Sequence, residues 1–563
     1  MSVLPSRVAA LLRCLRPVHR FYSSPVVQVP PPVNEPTLSF APGSEERACV
    51  EKALGDLHGH VEEIPCVVGG REIFTGNLQK QVSPYDHQRV IAHYHYADKD
   101  LINEAIGCAL EAKRQWEDTP YEHRAAVFLR MADLISTKYR YQVIATTMLG
   151  QGKTVLQAEI DSTCETIDFF RFAVKQGLDL QGQPSVHSPR IWNRLEYRAL
   201  EGFIASISPF NFTAIGANLG ATPTLMGNAT LWKPSDTAML SNWTMFKILR
   251  EAGLPPGVVN FVPAPGPLFG DTVTDSPDLA GVSFTGSSTT FKHLWKLTGK
   301  KLDTYKTFPR IVGECGGKNY HFVHPSADVD NVVFCSVRGA FEYCGQKCSA
   351  TSRMYVPESL WTEIRDKMVA ITKEIRVGSP EDFRNFIAAV IDAKSFQKIS
   401  GYLDYANSSD ELTLLAGGSA DDSVGYFVQP TIYQTTNPRN KLMQEEIFGP
   451  VLTVYVYPDS EAEEMLEVVN STSVYGLTGA VFSNDRYFIL KAMSVLRHSA
   501  GNFYINDKST GSVVGQQPFG GSRGSGTNDK AGAVSYLQKW VSPMSVKEAT
   551  APCTEWSYPS VDQ

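Results

Sequence analysis

Three residues from separate stretches of the sequence have the types needed for catalysis by a thiol. Cys348 lies in FEYCGQKCSATSR, between an apolar helical pattern and the strand-like residues 354–356. Asn211 follows a strand pattern in PFNF, where its side-chain N–H groups are suited to stabilising an oxyanion. Glu314 lies among glycines in GECGGKN and is a candidate base. With the Cys348 backbone N–H as a second donor, these residues predict a nucleophile, an oxyanion hole and a base, with no histidine required.

Each of these residues also has a simpler structural interpretation. Cys348 alone is typical of a small buried apolar residue, Asn211 of a turn and Glu314 of a surface carboxylate. Their occurrence together, each beside a predicted strand end, is far less expected by chance than any one of them. The combination favours a catalytic site, whereas Cys344 is interpreted as a structural thiol.

The elements that must position these residues follow an alternating strand and helix pattern. From residue 201 the strand-like runs are GFIASISP, ATLWKP, VVNFVP and GVSFTG, and helical periodicity covers residues 214–226, 238–252 and 288–296. This βα repeat predicts a doubly wound parallel sheet. The run RIVGECGGKNYHFV predicts a strand, a glycine break and a strand, after which a second βα series includes a helix at 358–373 and strands near Val451 and Phe482. We therefore expect an α/β protein with two α/β domains and a cleft between them.

Composition sets the broad class of protein. A chain of 563 residues is too long for one core, and 43% hydrophobic with 20% charged residues is typical of globular proteins. The net charge of -7 argues against a nucleic-acid partner or an anionic membrane surface. No apolar run approaches the ~18 residues of a membrane helix. Helical patterns at 98–116 and 122–144 predict surface helices.

The first two dozen residues have the composition of a targeting segment. They carry Arg7, Arg13, Arg16 and Arg20 among alanine and leucine, and no acidic residue precedes Glu35. This pattern predicts a mitochondrial transit peptide at about 1–24 and a location in the mitochondrial matrix. A disordered basic tail is the alternative.

Two further patterns argue against other kinds of site. The ten cysteines are scattered and show no zinc spacing, so neither a disulfide framework nor a metal site is expected. Residues 150–154, GQGKT, resemble the end of a phosphate-binding P-loop, but Thr147 stands where that loop requires glycine. Gly266 and Gly270 are interpreted only as turn and packing signals.

Several blocks together resemble the NAD-dependent aldehyde dehydrogenases from about residue 60 to about residue 530. They are SISPFNF, WKPSD, SFTGS, ECGGKN, GQKCSA, EEIFGP and PFGG. The resemblance implies an aldehyde dehydrogenase-like α/β fold, with a Rossmann-like NAD-binding domain at 25–174 and 200–313 and a catalytic domain at 314–525. It also implies a small bridging flap at 175–199 and 526–563 that serves subunit assembly, in a homo-oligomer for which a dimer is favoured.

The same resemblance implies roles for individual residues. Cys348 attacks the aldehyde, Asn211 and the Cys348 backbone N–H hold the oxyanion, and Glu314 activates water. Lys233 contacts the adenine ribose, Glu446 the nicotinamide ribose, and Phe448 packs near the nicotinamide ring. The full implied set of NAD-binding residues is Ser208, Pro209, Phe210, Lys233, Ser235, Gly286, Ser287, Glu446 and Phe448. Asp236 stands where many relatives have a glutamate three residues after the lysine.

The late segment STGSVVGQQPFGG indicates the substrate class. With GQKCSA and FNF, it resembles family members that oxidise glutamate γ-semialdehyde, an amino-acid aldehyde. The resemblance implies that Ser512, nearby N–H groups and Ser349 hold the substrate α-carboxylate, that Phe212 and Phe519 sandwich its aliphatic chain, and that Glu165 lines the site. The alternatives are a merely flexible glycine loop, another semialdehyde dehydrogenase such as a succinate-semialdehyde type, or a non-enzymatic binding protein on the same scaffold.

The C-terminal segment 531–563 includes Val534, Tyr536, Leu537, Trp540 and Val541. An apolar segment so late in the chain could form an edge strand that pairs with another subunit, or it could complete a sheet of its own chain.

Overall fold

Two seven-stranded sheets, formed one after the other along the chain, provide the framework of the molecule. The structure is a computed structural model that describes residues 28–182 and 185–561. All helices and strands given below lie in the unit that begins at Pro32. The predicted transit peptide, residues 1–24, lies outside the described residues.

The first sheet contains the βα series that the sequence predicts. Its strands are short β-branched and aromatic runs, and four successive pairings between them are parallel. The strand order is Arg310–Glu314, Leu279–Thr285, Phe203–Ile207, Thr230–Lys233, Val259–Phe261, Cys66–Val68 and Arg71–Ile73. The last two strands join antiparallel, an addition at the edge of the sheet that the sequence did not indicate.

The second sheet follows after the glycine break and is also mostly parallel. Its order is Leu412–Ala416, Thr431–Thr435, Val451–Tyr457, Thr351–Pro357, Asn319–Val323, Thr478–Phe482 and Asn502–Ile505. Only the strand at 412–416 is antiparallel to its neighbour. The strand, break and strand predicted at 310–323 are confirmed, since Glu314 ends a strand of the first sheet and Asn319 begins one of the second. The domain boundaries stay a prediction.

The C-terminal segment pairs within its own chain. Val541–Ala549 runs antiparallel to Ile191–Ala199 in a two-stranded ribbon. The apolar residues before this strand form the short helix Val534–Gln538, in which Tyr536 and Leu537 are buried. The remaining sheets are small: Glu62–Ile64 with Asp86–His95 and Leu78–Ser83, Ala420–Asp421 with Phe427–Val428, and Tyr475–Gly476 with Ser522–Arg523.

The helices cover the faces of the sheets. Those of eight residues or more are Glu45–Leu57, Lys99–Glu117, Tyr121–Ser136, Arg140–Gln151, Thr166–Gln181, Thr213–Leu225, Met239–Glu251, Gly266–Asp275, Ser288–Gly299, Val329–Phe341, Glu358–Glu374, Ala393–Asn407, Glu464–Ser471 and Arg486–Val495. Shorter ones are Val155–Ala158 and Lys441–Gln444, and Glu159–Glu165 is a π-helix. Within the described residues, no helix is long and apolar enough to cross a membrane.

Two helix predictions need correction. The pattern at 122–144 is interrupted after Ser136, and the helix Arg140–Gln151 that follows is buried along most of its length, so it is not a surface helix. Gly266 and Gly270, interpreted only as turn and packing signals, lie in the helix Gly266–Asp275. The proline that follows Gly266 is compatible with the first turn of a helix, where its missing N–H needs no partner.

The two sheets present opposite strand ends to the same region. Lys233 and Glu314 end strands of the first sheet, whereas Cys348 and Glu446 precede strands of the second. Carboxyl ends of parallel strands are the usual ligand-binding edge of such sheets. The residues predicted to perform chemistry therefore lie where the first sheet ends and the second begins.

Candidate active site

Cys348 lies on a loop with an unusual backbone. After the helix Val329–Phe341, Tyr343, Cys344 and Gly345 have φ values of 50°, 56° and 65°. Such values cost about 1–3 kcal/mol for a residue other than glycine, so the surrounding packing must hold them in place. The Cys344 thiol donates to the Ala388 carbonyl at 3.1 Å and is buried, as expected for a structural cysteine.

Two asparagine side chains fasten this loop to its surroundings. Asn211 is buried, and its Nδ2 donates to the Gln346 carbonyl at 3.0 Å, two residues before Cys348. Asn319 Nδ2 donates to the carbonyls of Cys348 at 2.7 Å and Ala350 at 2.9 Å. The predicted nucleophile and the predicted oxyanion donor are thus linked through the same loop.

The surroundings of Cys348 oppose ionisation of its thiol. Burial raises the pKa of Cys348 well above its usual range, and the nearby charges of Glu446, Glu314 and Glu165 raise it further, while a backbone hydrogen bond at Ser349 lowers it. The thiol is therefore protonated at neutral pH. Nucleophilic attack requires loss of that proton, because the thiolate is the reactive form.

Glu314 has the properties of a base that works near neutral pH. Its Oε2 accepts a hydrogen bond from the Gly521 N–H at 3.0 Å. Burial raises the pKa of Glu314 to about 8, against the opposing effects of the Gly521 hydrogen bond and of Lys530. A carboxylate with this pKa can accept a proton from water more readily than an exposed one.

A small cavity lies against Cys348, with a volume of about 70 Å³. All five residues predicted to bind substrate line it: Glu165, Phe212, Ser349, Ser512 and Phe519. Asn211 and Glu314 do not line this cavity, but they bond to Gln346 and Gly521 in the segments that form its walls. The structure thereby brings together residues that are more than 300 positions apart in the sequence.

The cavity wall beside Ser349 is built from hydroxyl groups and backbone. The Ser349 and Thr510 hydroxyl oxygens are 2.7 Å apart, and both residues are buried. Gly511 and Ser512 continue the same loop. Thr510 is part of the quoted segment STGSVVGQQPFGG, but its residue type alone did not distinguish it from its neighbours.

Lys153 and Asp161 are residues that sequence reasoning did not identify. The Lys153 ammonium donates to Asp161 Oδ2 at 2.8 Å and lies 3.9 Å from the centre of the Phe212 ring. Asp161 also accepts the N–H groups of Thr213 and Ala214, at the start of the helix that follows Asn211. The lysine of the rejected P-loop pattern is therefore buried behind Phe212, and no local motif predicted this position.

The predicted nicotinamide end adjoins the cavity. Glu446 Oε1 accepts the Gly317 N–H at 2.8 Å, and burial raises the pKa of this carboxyl. A Cβ atom at Gly316 would lie 2.1 Å from the Glu446 carboxylate, so only glycine permits this approach. The rings of Phe210 and Phe448 meet edge to face, with their centres 5.8 Å apart.

The predicted adenosine end lies along the edge of the first sheet. Lys233 is buried, which lowers its pKa, and its ammonium is 4.0 Å from Asp236 Oδ1. That Asp236 oxygen is buried and has no hydrogen-bond partner among the described residues. The Ser208 hydroxyl bonds to the Lys233 carbonyl at 3.3 Å, and the Ser235 hydroxyl lies 3.4 Å from that of Thr237.

Gly286 and Ser287 connect the strand Leu279–Thr285 to the helix Ser288–Gly299, as the sequence predicts. Ser287 caps this helix by accepting the Thr290 N–H at 3.2 Å, and the Gly286 N–H donates to the Glu314 carbonyl at 3.1 Å. The remaining N–H groups of the first turn form a site suited to a phosphate.

The cysteines and the potential metal ligands lie scattered through the described residues. Nine cysteines there are free thiols, and no group of three or more His, Cys, Asp or Glu residues is placed to hold a metal ion.

Comparison with known proteins identifies the family. The sequence model of the aldehyde dehydrogenase family matches residues 75–546 of this chain. Human Delta-1-pyrroline-5-carboxylate dehydrogenase, mitochondrial, is 58% identical over 526 residues, covering 93% of this chain and 93% of that protein. The protein of the same name from Dictyostelium discoideum is 52% identical, covering 94% of this chain and 96% of that one.

Solved structures give the same result. The Delta-pyrroline-5-carboxylate dehydrogenase from Mycobacterium tuberculosis bound with NAD has a TM-score of 0.93 and 44% identity, covering 96% of this chain and all of that one. The 1-pyrroline-5-carboxylate dehydrogenase from Thermus with bound NAD has a TM-score of 0.87 and 31% identity, covering 93% of this chain and all of that one. The chain belongs to the aldehyde dehydrogenase family, and the aldehyde dehydrogenase-like α/β fold is confirmed.

Proposed function

We propose that this enzyme oxidises L-glutamate γ-semialdehyde, the open form of Δ1-pyrroline-5-carboxylate, to L-glutamate with NAD. The observation that carries this assignment is the cavity beside Cys348, in which Ser349, Ser512, Phe212 and Phe519 surround the thiol. The names of the relatives that share 52–58% of its residues agree with it. The reaction is a step in the breakdown of proline.

The cavity suits an amino-acid aldehyde because it combines anion donors with apolar walls. Hydroxyl and backbone N–H groups at Ser349, Gly511 and Ser512 are suited to the α-carboxylate. The aromatic rings of Phe212 and Phe519 cover the methylene groups and exclude water from them. The substrate would then present its aldehyde carbon to Cys348.

The residues present also fit NAD. Lys233 and the unpartnered oxygen of Asp236 are buried polar groups suited to ribose hydroxyls. The N–H groups in the first turn of the helix after Ser287 can bind a phosphate of NAD. At the predicted nicotinamide end, the Glu446 carboxylate is fixed by the hydrogen bond from the Gly317 N–H. When bound, NAD supplies the oxidising power by accepting a hydride.

The chain's own residues bind and activate the aldehyde. The Cys348 thiol gives up its proton to solvent, and the thiolate forms a bond to the aldehyde carbon, giving a thiohemiacetal whose oxygen is held by the Asn211 side chain and the Cys348 backbone N–H. Oxidation leaves a thioester on Cys348. Glu314 then removes a proton from a water molecule, which attacks the thioester carbon and releases glutamate and the free thiol. Overall, aldehyde, NAD⁺ and water give carboxylate, NADH and two protons.

A succinate-semialdehyde dehydrogenase is the main alternative, because it would use the same nucleophile, oxyanion donors and base. Both substrates carry a carboxylate for the Ser512 loop to bind, and the names of the relatives described above, all pyrroline-5-carboxylate dehydrogenases, favour the amino-acid aldehyde.

Product analysis with the purified enzyme tests the assignment. Incubation with Δ1-pyrroline-5-carboxylate and NAD should form L-glutamate and NADH in equal amounts, with succinate semialdehyde and propanal as comparison substrates. No detectable NADH from Δ1-pyrroline-5-carboxylate, alongside rapid oxidation of simple aliphatic aldehydes, would contradict the substrate assignment.

We further infer that the enzyme works in the mitochondrial matrix as a homo-oligomer, with a dimer favoured. The names of the human and Dictyostelium relatives include the word mitochondrial, and Arg7, Arg13, Arg16 and Arg20 support a transit peptide.

The ribbon of residues 191–199 and 541–549 supports assembly, because Trp192 and Leu195 are exposed on it. Analytical ultracentrifugation should give twice the chain mass, and Trp192→Glu with Leu195→Glu should shift the protein toward monomer; a wild-type monomer at micromolar concentration would contradict the inference.

A further inference from the structure

His321 is a fully buried histidine on the second sheet, outside the set of residues assigned to the reaction. It lies on the strand Asn319–Val323. Its Nδ1 is 2.9 Å from the Ser336 hydroxyl oxygen, and its Nε2 is 2.9 Å from the Thr351 hydroxyl oxygen. The backbone N–H of Ser509 donates to the same Nε2 at 3.1 Å.

These contacts determine which ring nitrogen carries the proton. A backbone N–H can only donate, so the bond from Ser509 requires Nε2 to be an unprotonated acceptor. The proton of the neutral ring is then on Nδ1, where it can donate to the Ser336 oxygen. Burial also lowers the pKa of His321 to about 3, which agrees with a neutral ring at physiological pH.

Ser509 links this histidine to the wall of the cavity. Its hydroxyl donates to the Ser349 carbonyl at 3.2 Å, directly after the nucleophile. The next residue, Thr510, lies with its hydroxyl oxygen 2.7 Å from that of Ser349, and Gly511 and Ser512 follow in the same loop. Ser509 therefore begins this loop with its hydroxyl bonded to Ser349 and 3.0 Å from the Thr351 hydroxyl, and with its backbone N–H bonded to His321.

We propose that His321 is a positioning residue that sets the loop 509–512 and thereby the selectivity of the enzyme for aldehydes that carry an α-carboxylate. The proposal rests on the proposed function, since the loop is taken to hold the carboxylate of glutamate semialdehyde. His321 acts through Ser509, whose neighbours reach the cavity. Removing the acceptor leaves the buried Ser509 N–H without a partner, so the backbone at the start of the loop shifts and its donors no longer converge as well, although the hydroxyl contacts to Ser349 remain.

The expected signature is a change in substrate binding rather than in the chemical step. His321→Leu removes both ring nitrogens and should raise KM for glutamate semialdehyde about tenfold, the effect of roughly one lost hydrogen bond. The values of kcat for this substrate and of kcat/KM for propanal, which has no carboxylate, should change less than about threefold. His321→Gln keeps an acceptor oxygen near the position of Nε2 and should restore most of the affinity.

His324→Gln is a matched control, because His324 follows the same strand but contacts Ser326 at 2.9 Å and stacks on Phe488. It should leave KM for glutamate semialdehyde unchanged. If His321→Leu does not fold, Ser336→Ala removes the hydroxyl 2.9 Å from Nδ1 and should raise the same KM by a smaller factor; Ser336 is preferred to Thr351, whose hydroxyl also lies 3.0 Å from that of Ser509.

Two outcomes would overturn the proposal. One is an unchanged KM for glutamate semialdehyde in folded His321→Leu, or in Ser336→Ala where the leucine variant does not fold. The other is an equal loss of kcat/KM for both aldehydes in either variant, with no recovery in His321→Gln, which would mean a purely structural role. A wild-type enzyme that oxidises propanal but not glutamate semialdehyde would instead contradict the proposed function, so the two failures are distinguishable.

Discussion

The two walls of the cavity differ in how they are built. The reaction wall is the Cys348 segment together with Asn211 and Glu314, which do not line the cavity themselves but bond to the segments that form it. All three lie where strands of the two sheets end or begin. The anchor wall, Ser349, Thr510, Ser512 and Phe519, is formed mostly by the loop between residues 509 and 519, which packs on the nucleophile segment through hydroxyl groups. Under the proposed function, the chemistry lies beside the strand ends of the two sheets and the choice of substrate lies on the loop 509–519, which can vary without moving the nucleophile.

The walls also differ in charge. Burial, and after it the nearby carboxylates, raise the pKa of the Cys348 thiol, and burial raises the pKa of Glu314 to about 8. The anchor wall presents neutral hydroxyl and N–H donors instead, which suit a bound carboxylate. Under the proposed function, the substrate α-carboxylate binds these donors of the anchor wall and its aldehyde group lies toward Cys348.

The strongest test of the reaction wall is removal of the nucleophile. Cys348→Ala should abolish oxidation of every aldehyde, a loss of at least about 10⁴-fold, because no covalent intermediate can form. NADH production with glutamate semialdehyde and with propanal measures the effect. Cys344→Ala is the matched control and should keep most of the activity. Substantial turnover by folded Cys348→Ala would remove this residue as the nucleophile.

Glu314→Gln tests the base and should have the next largest effect. Steady-state turnover should fall about 10²- to 10⁴-fold, since water is no longer activated for release of the thioester. A burst of one NADH per active site should remain, because acylation comes first. Loss of the burst would place Glu314 before acylation and contradict its role in hydrolysis.

The pH dependence follows from the same residue. Glu314 accepts a proton only when ionised, and its pKa is raised to about 8, so thioester hydrolysis should increase as pH rises through that value. The slow phase of Glu314→Gln should lack this increase. Stopped-flow measurements between about pH 7 and 9 compare the two proteins.

The sequence located the strand ends beside the reaction wall because local patterns determine them, while the catalytic roles of Asn211, Glu314 and Cys348 stay a prediction. Strand and glycine patterns around Glu314 and the loop after Ile207 located the ends of strands, and strands that pair in parallel bring such ends to one edge. The antiparallel strands at the edge of the first sheet carried no such signal, because they are only three residues long.

The contacts that hold the walls in place could not be predicted. Lys153 reaches Phe212, and His321 reaches Ser509, across 59 and 188 positions of sequence. No local periodicity or motif encodes such pairs, and the P-loop-like pattern at Lys153 pointed to no role. The helix Gly266–Asp275 was missed for a different reason, since its glycines and proline are typical of turns.

Selectivity measured in two variants tests the division between the walls most directly. The measurement is the ratio of kcat/KM for glutamate semialdehyde to that for propanal, with NAD. In Asn211→Ala both values should fall about 10²- to 10³-fold and leave the ratio unchanged, because an oxyanion donor serves every aldehyde. In Ser512→Ala the ratio should fall about tenfold while propanal oxidation is retained, because only a carboxylate-bearing substrate loses a hydrogen bond. Equal changes for both substrates in Ser512→Ala, or a collapsed ratio in Asn211→Ala, would contradict the account.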